Sequence, residues 1–156
     1  MLRERNVMKK TILTVACGIF ISGMMSCTTT SPTGATGTLS IAGTINNALQ
    51  SGVSIAYQGY SAGISNVTVT AYTDSAHTNA VASSIVNCSG LLLSGNVAYT
   101  ISGLAKGTYY LNAVQPVSYS VSGLTVTIDN TGAATDTLGS NDLTGKNIAL
   151  AVKTVP

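Results

Sequence analysis

One stretch limits the fold more than any other: Tyr99–Val114, YTISGLAKGTYYLNAV. Val97, Tyr99 and Ile101 alternate with Ala98, Thr100 and Ser102. Successive side chains of a strand point to opposite faces, so this period marks a half-buried strand. Gly103-Leu104-Ala105-Lys106-Gly107 breaks the alternation with a glycine at each end. Glycine reaches positive φ without a Cβ clash, which suits a tight turn. The alternation resumes with Tyr109, Leu111 and Ala113 on one face and Tyr110, Asn112 and Val114 on the other. The expectation is a central hairpin, ended by Pro116, which cannot donate to a ladder.

The same period recurs on both sides. Leu39 and Ile41 open a strand, and Asn46-Asn47 signals a turn. Val53, Ile55 and Tyr57 alternate before Gly59–Gly63 bends the chain. Val67, Val69 and Ala71 mark another strand, and Val81–Val86 a further strand or short buried piece. Beyond Pro116, Val117, Tyr119 and Val121 alternate, then Leu124, Val126 and Ile128. Asp129-Asn130-Thr131-Gly132 reads as a turn and Ala133–Lys146 as a polar loop. Ile148, Leu150 and Val152 make the last strand. About seven to nine short strands at this spacing predict an all-β chain, a single antiparallel β-sandwich over residues 37–156.

Composition agrees. Charged residues make up 8% of the chain, well below the usual quarter, and the scarcity of Glu, Lys, Arg and Gln leaves little for surface helices. Four of the seven bases, Arg3, Arg5, Lys9 and Lys10, fall in the first ten positions. From Cys27 onward, three lysines face four aspartates, a net charge of −1. Nucleic-acid binding needs clustered Lys and Arg, so no nucleic-acid partner is expected.

Ile101–Ala113, ISGLAKGTYYLNA, resembles the late signature of the prealbumin-like sandwiches, which include the Cna protein B-type repeats and the regulatory domains of carboxypeptidases. Gly37–Ile45 resembles the opening strand of that pattern, and Ile64–Tyr72 its Gly-Val-x-Val-x-Ala strand, with Ile64-Ser65-Asn66 replacing the small-residue turn. The resemblance covers Gly37–Val152 and implies a fold far more than an activity. Some Cna B-type domains carry a Lys–Asn isopeptide. Lys106, Lys146 and Lys153 do not occupy the early-strand position of the reactive lysine, and no glutamate follows Cys27, so none is expected here.

The N-terminus points to export. Met8-Lys9-Lys10 precedes the apolar run Thr11–Met25, the arrangement of a signal peptide over 1–26, with Met8 as the expected true start. The apolar core is short for a membrane span. Cys27 follows Gly23-Met24-Met25-Ser26 and opens a Thr/Ser/Gly-rich tether, 27–36. This resembles a bacterial lipoprotein signal, in which such a cysteine carries the lipid. Met24 stands where leucine is commoner. A plain secretory signal cut near Ser26 and an uncleaved anchor are the alternatives. Each buried lipid methylene contributes roughly 0.8 kcal/mol, so a multi-chain anchor at Cys27 would hold the protein at a membrane.

Little else in the chain is fit for chemistry. His77 is the only histidine and is read as an exposed loop residue; Asp74, three residues away, does not by itself make a Ser–His–Asp triad. One histidine with one remaining cysteine supplies too few soft ligands for zinc. Cys88 is read as a small buried hydrophobe, the alternative being a reactive thiol. Asp129, Asp136 and Asp142, with Asn130 and Asn141, are read as turn formers bonding their own backbone, not as a calcium site. The expectation is a non-enzymatic envelope lipoprotein without cofactor, metal or small-molecule substrate. It would be lipid-anchored, most simply at the outer membrane, on its periplasmic or its surface face. It would contact an envelope or host protein or glycan through sheet edges and loop tips such as Tyr57–Tyr60. The rival expectation is a spacer or accessory subunit of an envelope assembly.

Overall fold

The computed structural model describes residues 28–30, 37–52, 54–57, 60–91 and 94–153. The expected signal segment 1–26, Cys27, and Gln58 and Gly59 of the expected loop tip lie outside them. The described residues are all-β. They form β1 (Thr28–Thr30), β2 (Leu39–Leu49), β3 (Ser54–Tyr57), β4 (Tyr60–Ile64), β5 (Val67–Tyr72), β6 (Ala80–Val86), β7 (Ser94–Leu104), β8 (Gly107–Val121), β9 (Leu124–Leu138) and β10 (Ile148–Ala149). One sheet has seven strands in the order β1-β6-β5-β8-β4-β3, with β9 on the other side of β8. The second sheet is β10-β2-β7. The strand pairs are antiparallel except β10, which runs parallel to β2, a departure from the all-antiparallel expectation. Part of the expected tether is in the larger sheet, since Thr28–Thr30 pairs with Ser83–Ile85 of β6.

One hydrophobic cluster draws on both sheets. Ile41, Ile45, Tyr99, Ile101, Leu104 and Ile148 come from the smaller sheet. Val67, Val69, Val86, Leu111, Ala113 and Leu138 come from the larger. Each fully buried side chain of this size contributes about 1.5–3 kcal/mol. The alternation seen in sequence is the alternation of burial: along β8, Tyr109, Leu111, Ala113, Gln115 and Val117 are buried in turn.

Tyr99–Val114 is strand, turn, strand, but not a hairpin. β7 pairs with β2, whereas β8 pairs with β5, β4 and β9. The turn therefore carries the chain from one sheet to the other. A period of two says which face is buried; it does not say which neighbour shares the hydrogen bonds. Gly103 holds φ 81° at this crossing. The Tyr109 hydroxyl donates to the Ala105 carbonyl at 2.9 Å and ties the turn to the start of β8.

Four other turn or break signals are overridden. β8 runs on through Pro116. The proline's backbone faces the β4–β5 connection, where its carbonyl accepts from Ser65 N–H at 3.0 Å. Its missing donor is thus lost from a gap between partners: Val114 pairs with Thr68 of β5, and Val117 with Ile64 of β4. Asp129–Gly132 is not a turn; these residues pair with Pro116–Ala113, and β9 continues through them to Leu138. Gly59–Gly63 is largely strand β4. Asn46-Asn47 is a bulge inside β2, with Asn47 at φ 61° where the register shifts. Asparagine tolerates this conformation, so the sequence signal had a real backbone cause. Local preference is weak beside the hydrogen bonds of a long partner strand. The tight hairpin turn lies at Ser122-Gly123, φ 48° and 85°, joining the paired Val121 and Leu124 in the manner of a type I′ turn.

Gln115 interrupts the apolar face of β8 and is fully buried. Its Nε2 donates to the carbonyls of Leu49 and Ser65 at 2.8 and 3.0 Å, and its Oε1 accepts from Leu49 N–H at 2.9 Å. It thereby ties the end of β2 to the larger sheet. Gln115→Met preserves the volume but strands these backbone groups. It is expected to destabilise by on the order of 3 kcal/mol in denaturant unfolding, and an unchanged midpoint would refute the role. At Gly132, a Cβ would collide with the Ala149 carbonyl and lie 2.8 Å from Ile148 Cγ2. Gly132→Ala is therefore expected to cost about 1–3 kcal/mol, read as a lowered Tm.

Candidate functional site

Three places bear on function, two built around ionic groups and one without any. The first is where β7, β9 and the segment before β10 meet. Tyr99 is 1% exposed, and its hydroxyl donates to the Lys146 carbonyl at 2.7 Å. Lys146 Nζ lies 2.6 Å from Asp136 Oδ1, and Asp136 is nearly buried. Gly43 of β2 lies against the Lys146 backbone, which a Cβ there would strike. Burial, and secondarily the Asp136 charge, push the Tyr99 phenol well above its usual pKa. The phenol is thus a neutral donor bonded to a carbonyl. The group fastens the final connection to the sheet.

This corrects the expectation for the late aspartates. Asp136 sits in β9 and forms an ion pair. Asp142 Oδ1 accepts from Ser40 N–H of β2 at 2.7 Å, across 102 residues. Asp129 is exposed in β9 opposite Pro116. Asn130 is buried; its Oδ1 accepts from Lys153 N–H at 2.8 Å, and its Nδ2 has no partner among the described residues. Asp136, Asp142 and Asn130 tie segments together instead of closing their own turns. No group of three or more His, Cys, Asp or Glu able to hold a metal occurs among the described residues.

The second place is the β5–β6 loop. Asp74 accepts from the N–H of Thr78 and Asn79 and from the Thr78 hydroxyl. The Thr78 and Asn79 N–H bonds hold its carboxyl below the usual range. The carboxylate therefore organises the loop backbone. His77, expected to be exposed, is half-buried at φ 55°, its ring edge-on to Tyr72 with centroids 5.0 Å apart. Cys88 is fully buried in the core cluster without a disulfide among the described residues. Its thiol lies 3.5 Å from the Val86 carbonyl.

The third place has no charge at all. Beyond Gln115 the core face of β8 continues as Val117, Tyr119 and Val121, which pair with Ile128, Val126 and Leu124 of β9. On the other side β4 pairs with β8 from Tyr60↔Val121 to Ile64↔Val117, and β3 pairs with β4. This four-stranded extension reaches past the core. Val121 is 38%, Val126 51% and Leu124 70% exposed. Its opposite face carries hydroxyl pairs, Ser118–Thr127 at 3.1 Å and Ser120–Thr125 at 2.8 Å. No charged residue occurs in 54–64 or 117–128. Sequence reading named the Tyr57–Tyr60 tip of this extension but not its β8–β9 face, although a signal was present: two apolar alternations mirrored about Ser122-Gly123.

No protein-family model, no curated protein and no solved structure matches the chain. No helix among the described residues is long and apolar enough to cross a membrane.

The raised Tyr99 pKa gives an alkaline prediction. Above pH 10.0, the unfolded phenol ionises while the folded one stays protonated, so its stabilising contribution is present below pH 10.0 and lost as pH rises. Tyr99→Phe should lower stability by about 1 kcal/mol at pH 7 through the lost hydrogen bond. The gap to the native protein should close above pH 10.0 in chemical unfolding followed by fluorescence. A constant gap across that range would contradict the assignment.

Proposed function

We propose that the chain is a cell-envelope lipoprotein, anchored through lipid on Cys27, whose β-domain is a non-catalytic interaction module. The domain is read as a prealbumin-like sandwich. Two sheets sharing one core support that reading, as does the position of the Gly103–Gly107 signature at their junction. The observation that carries the interaction reading is the uncharged apolar face of the hairpin, where Tyr119, Val121, Leu124 and Val126 extend past the core. Contiguous exposed apolar surface on a folded domain marks a contact site. The partner is an envelope or host protein with an apolar patch of its own. A carbohydrate would need polar groups aimed at its hydroxyls, and among the described side chains on the β8–β9 part of this face the Tyr119 phenol is the one such group.

Two experiments test the reading. Metabolic labelling with a palmitate analogue should mark the native protein and fail in Cys27→Ala; label that persists in the variant would remove the anchor assignment. The full-length protein should bind envelope fractions or host cells saturably, and Leu124→Ser with Val126→Ser should weaken binding at least tenfold. Both positions are exposed, so each change should alter stability by no more than about 0.5 kcal/mol. Binding lost after glycosidase treatment would replace the protein partner by a glycan. Absence of binding, with an envelope complex that fails to assemble when the domain is deleted, would favour an accessory subunit.

A further inference from the structure

The pairing of β1 fixes the side from which the chain enters the domain. Thr28 lies opposite Ile85 of β6, Ile85 opposite Thr68 of β5, and Thr68 opposite Val114 of β8. Each of these pairs is antiparallel, so β1 runs against β8. The chain therefore enters β1 from the side on which β8, β9, β4 and β3 extend past the core. Cys27 is one peptide bond before Thr28, about 3.8 Å between Cα atoms, so little chain separates it from the sheet.

Charge divides the domain along the same axis. No charged residue occurs in 54–64 or 117–128, the strands of the extension. Lys106 lies at the other end, in the β7–β8 turn, and Asp136 lies there too, opposite Tyr109 and paired with Lys146. The uncharged end carries the exposed Val121, Leu124 and Val126.

We infer that the uncharged end faces the membrane that holds Cys27, and that the partner of its apolar face is a protein of that same membrane. The inference rests on the lipid anchor and the interaction face proposed above, and it decides between an envelope and a host partner. Val121 lies seven residues beyond Val114, roughly 24 Å along the strand. β8 is three strand spacings from β1, roughly 14 Å. A leaning sheet brings both Thr28 and the hairpin tip to one membrane plane and leaves the β7–β8 turn in water. A partner on an opposing cell would meet that charged end instead of the apolar face.

The hydrocarbon layer is a poor occupant of this face. The edge of β9 away from β8 pairs with no strand among the described residues between Leu124 and Asp129, and hydrocarbon offers nothing to its backbone groups. The outer face of the hairpin carries the Ser118–Thr127 and Ser120–Thr125 hydroxyl pairs. Such a hairpin suits one-sided contact with a protein at the membrane surface.

Orientation and partner are tested separately on the full-length lipidated protein. Ser122→Cys and Lys106→Cys place a fluorophore near either end of the fifteen-residue β8, and the buried Cys88 stays unlabelled. In phosphatidylethanolamine–phosphatidylglycerol vesicles with a nitroxide on the headgroup, quenching should be at least twofold stronger at position 122 than at 106. Equal quenching, or the reverse order, would overturn the orientation. A flexible Gly-Ser spacer of about thirty residues between Cys27 and Thr28 should abolish the difference. In cells, a photo-reactive residue at position 126 should form protein adducts whose yield the spacer lowers at least fivefold. A yield indifferent to the spacer, or adducts that form only after host cells are added, would refute a partner in the same membrane. Adducts with phospholipid alone would assign the face to lipid and remove the protein partner. Strong quenching at position 122 without any adduct would count against the interaction face and leave the orientation standing. Palmitate label that persists in Cys27→Ala would remove the anchor and this inference with it.

Discussion

A fifteen-residue strand in the middle of a sheet must find partners along its whole length, and β8 does so by changing them. β5 covers one edge up to Val114, and β4 covers it from Val117. The change falls on Gln115 and Pro116. Proline removes the donor that would have faced the gap, and the glutamine amide reaches from the gap to Leu49 and Ser65. A polar cluster gathers at this level: Ser51 Oγ bonds Asn66 Oδ1 at 2.6 Å, which also accepts from Cys88 N–H. Below it lies the shared core. Above it β3, β4, β8 and β9 continue without the second sheet. The core, the crossing between sheets and the exposed extension all depend on that one level of β8.

Much of this was legible in sequence because burial follows the strand period closely. Tyr109, Leu111 and Ala113 are inward, and Val67, Val69 and Ala71 likewise. The partners were not legible. Alternation along β7 and β8 fits a hairpin as well as a crossing between sheets, and nothing local distinguishes them. Turn signals failed where a neighbouring strand held the chain straight, as at Asp129–Gly132 beside β8. The signal held at Gly103–Gly107, where the chain leaves β7 for β8 and Gly103 takes a positive φ. Gln115 was present in sequence as the one amide in an apolar row, but its meaning rests on residues 66 and 50 positions away.

The titratable groups show the same limit. Asp74 was legible as a loop residue, and its carboxylate does cap its own loop. Asp136 and Asp142 resemble it in composition and context, yet Asp136 pairs with the Lys146 side chain and Asp142 bonds Ser40, 102 residues away. A side chain's chemistry fixes what it can accept; its partner is fixed by topology. The exposed apolar face of the β8–β9 hairpin escaped notice for the opposite reason. Valine and leucine in alternation imply a core, and only the position of the second sheet reveals that the core has ended before Val121.

The smaller sheet joins the two ends of the described domain. β2 begins at Leu39 and lies between β7 and β10, and Ser40 and Thr44 bond Asp142 and Asn147 across 102 and 103 residues. The first long strand therefore waits for nearly the last. During synthesis β2 emerges early with apolar residues on one side and no permanent neighbour until β7 appears, then none on its far edge until β10. Pairings this distant close slowly. A chain cut short before β10 would therefore leave the far edge of β2 open and the smaller sheet unfinished.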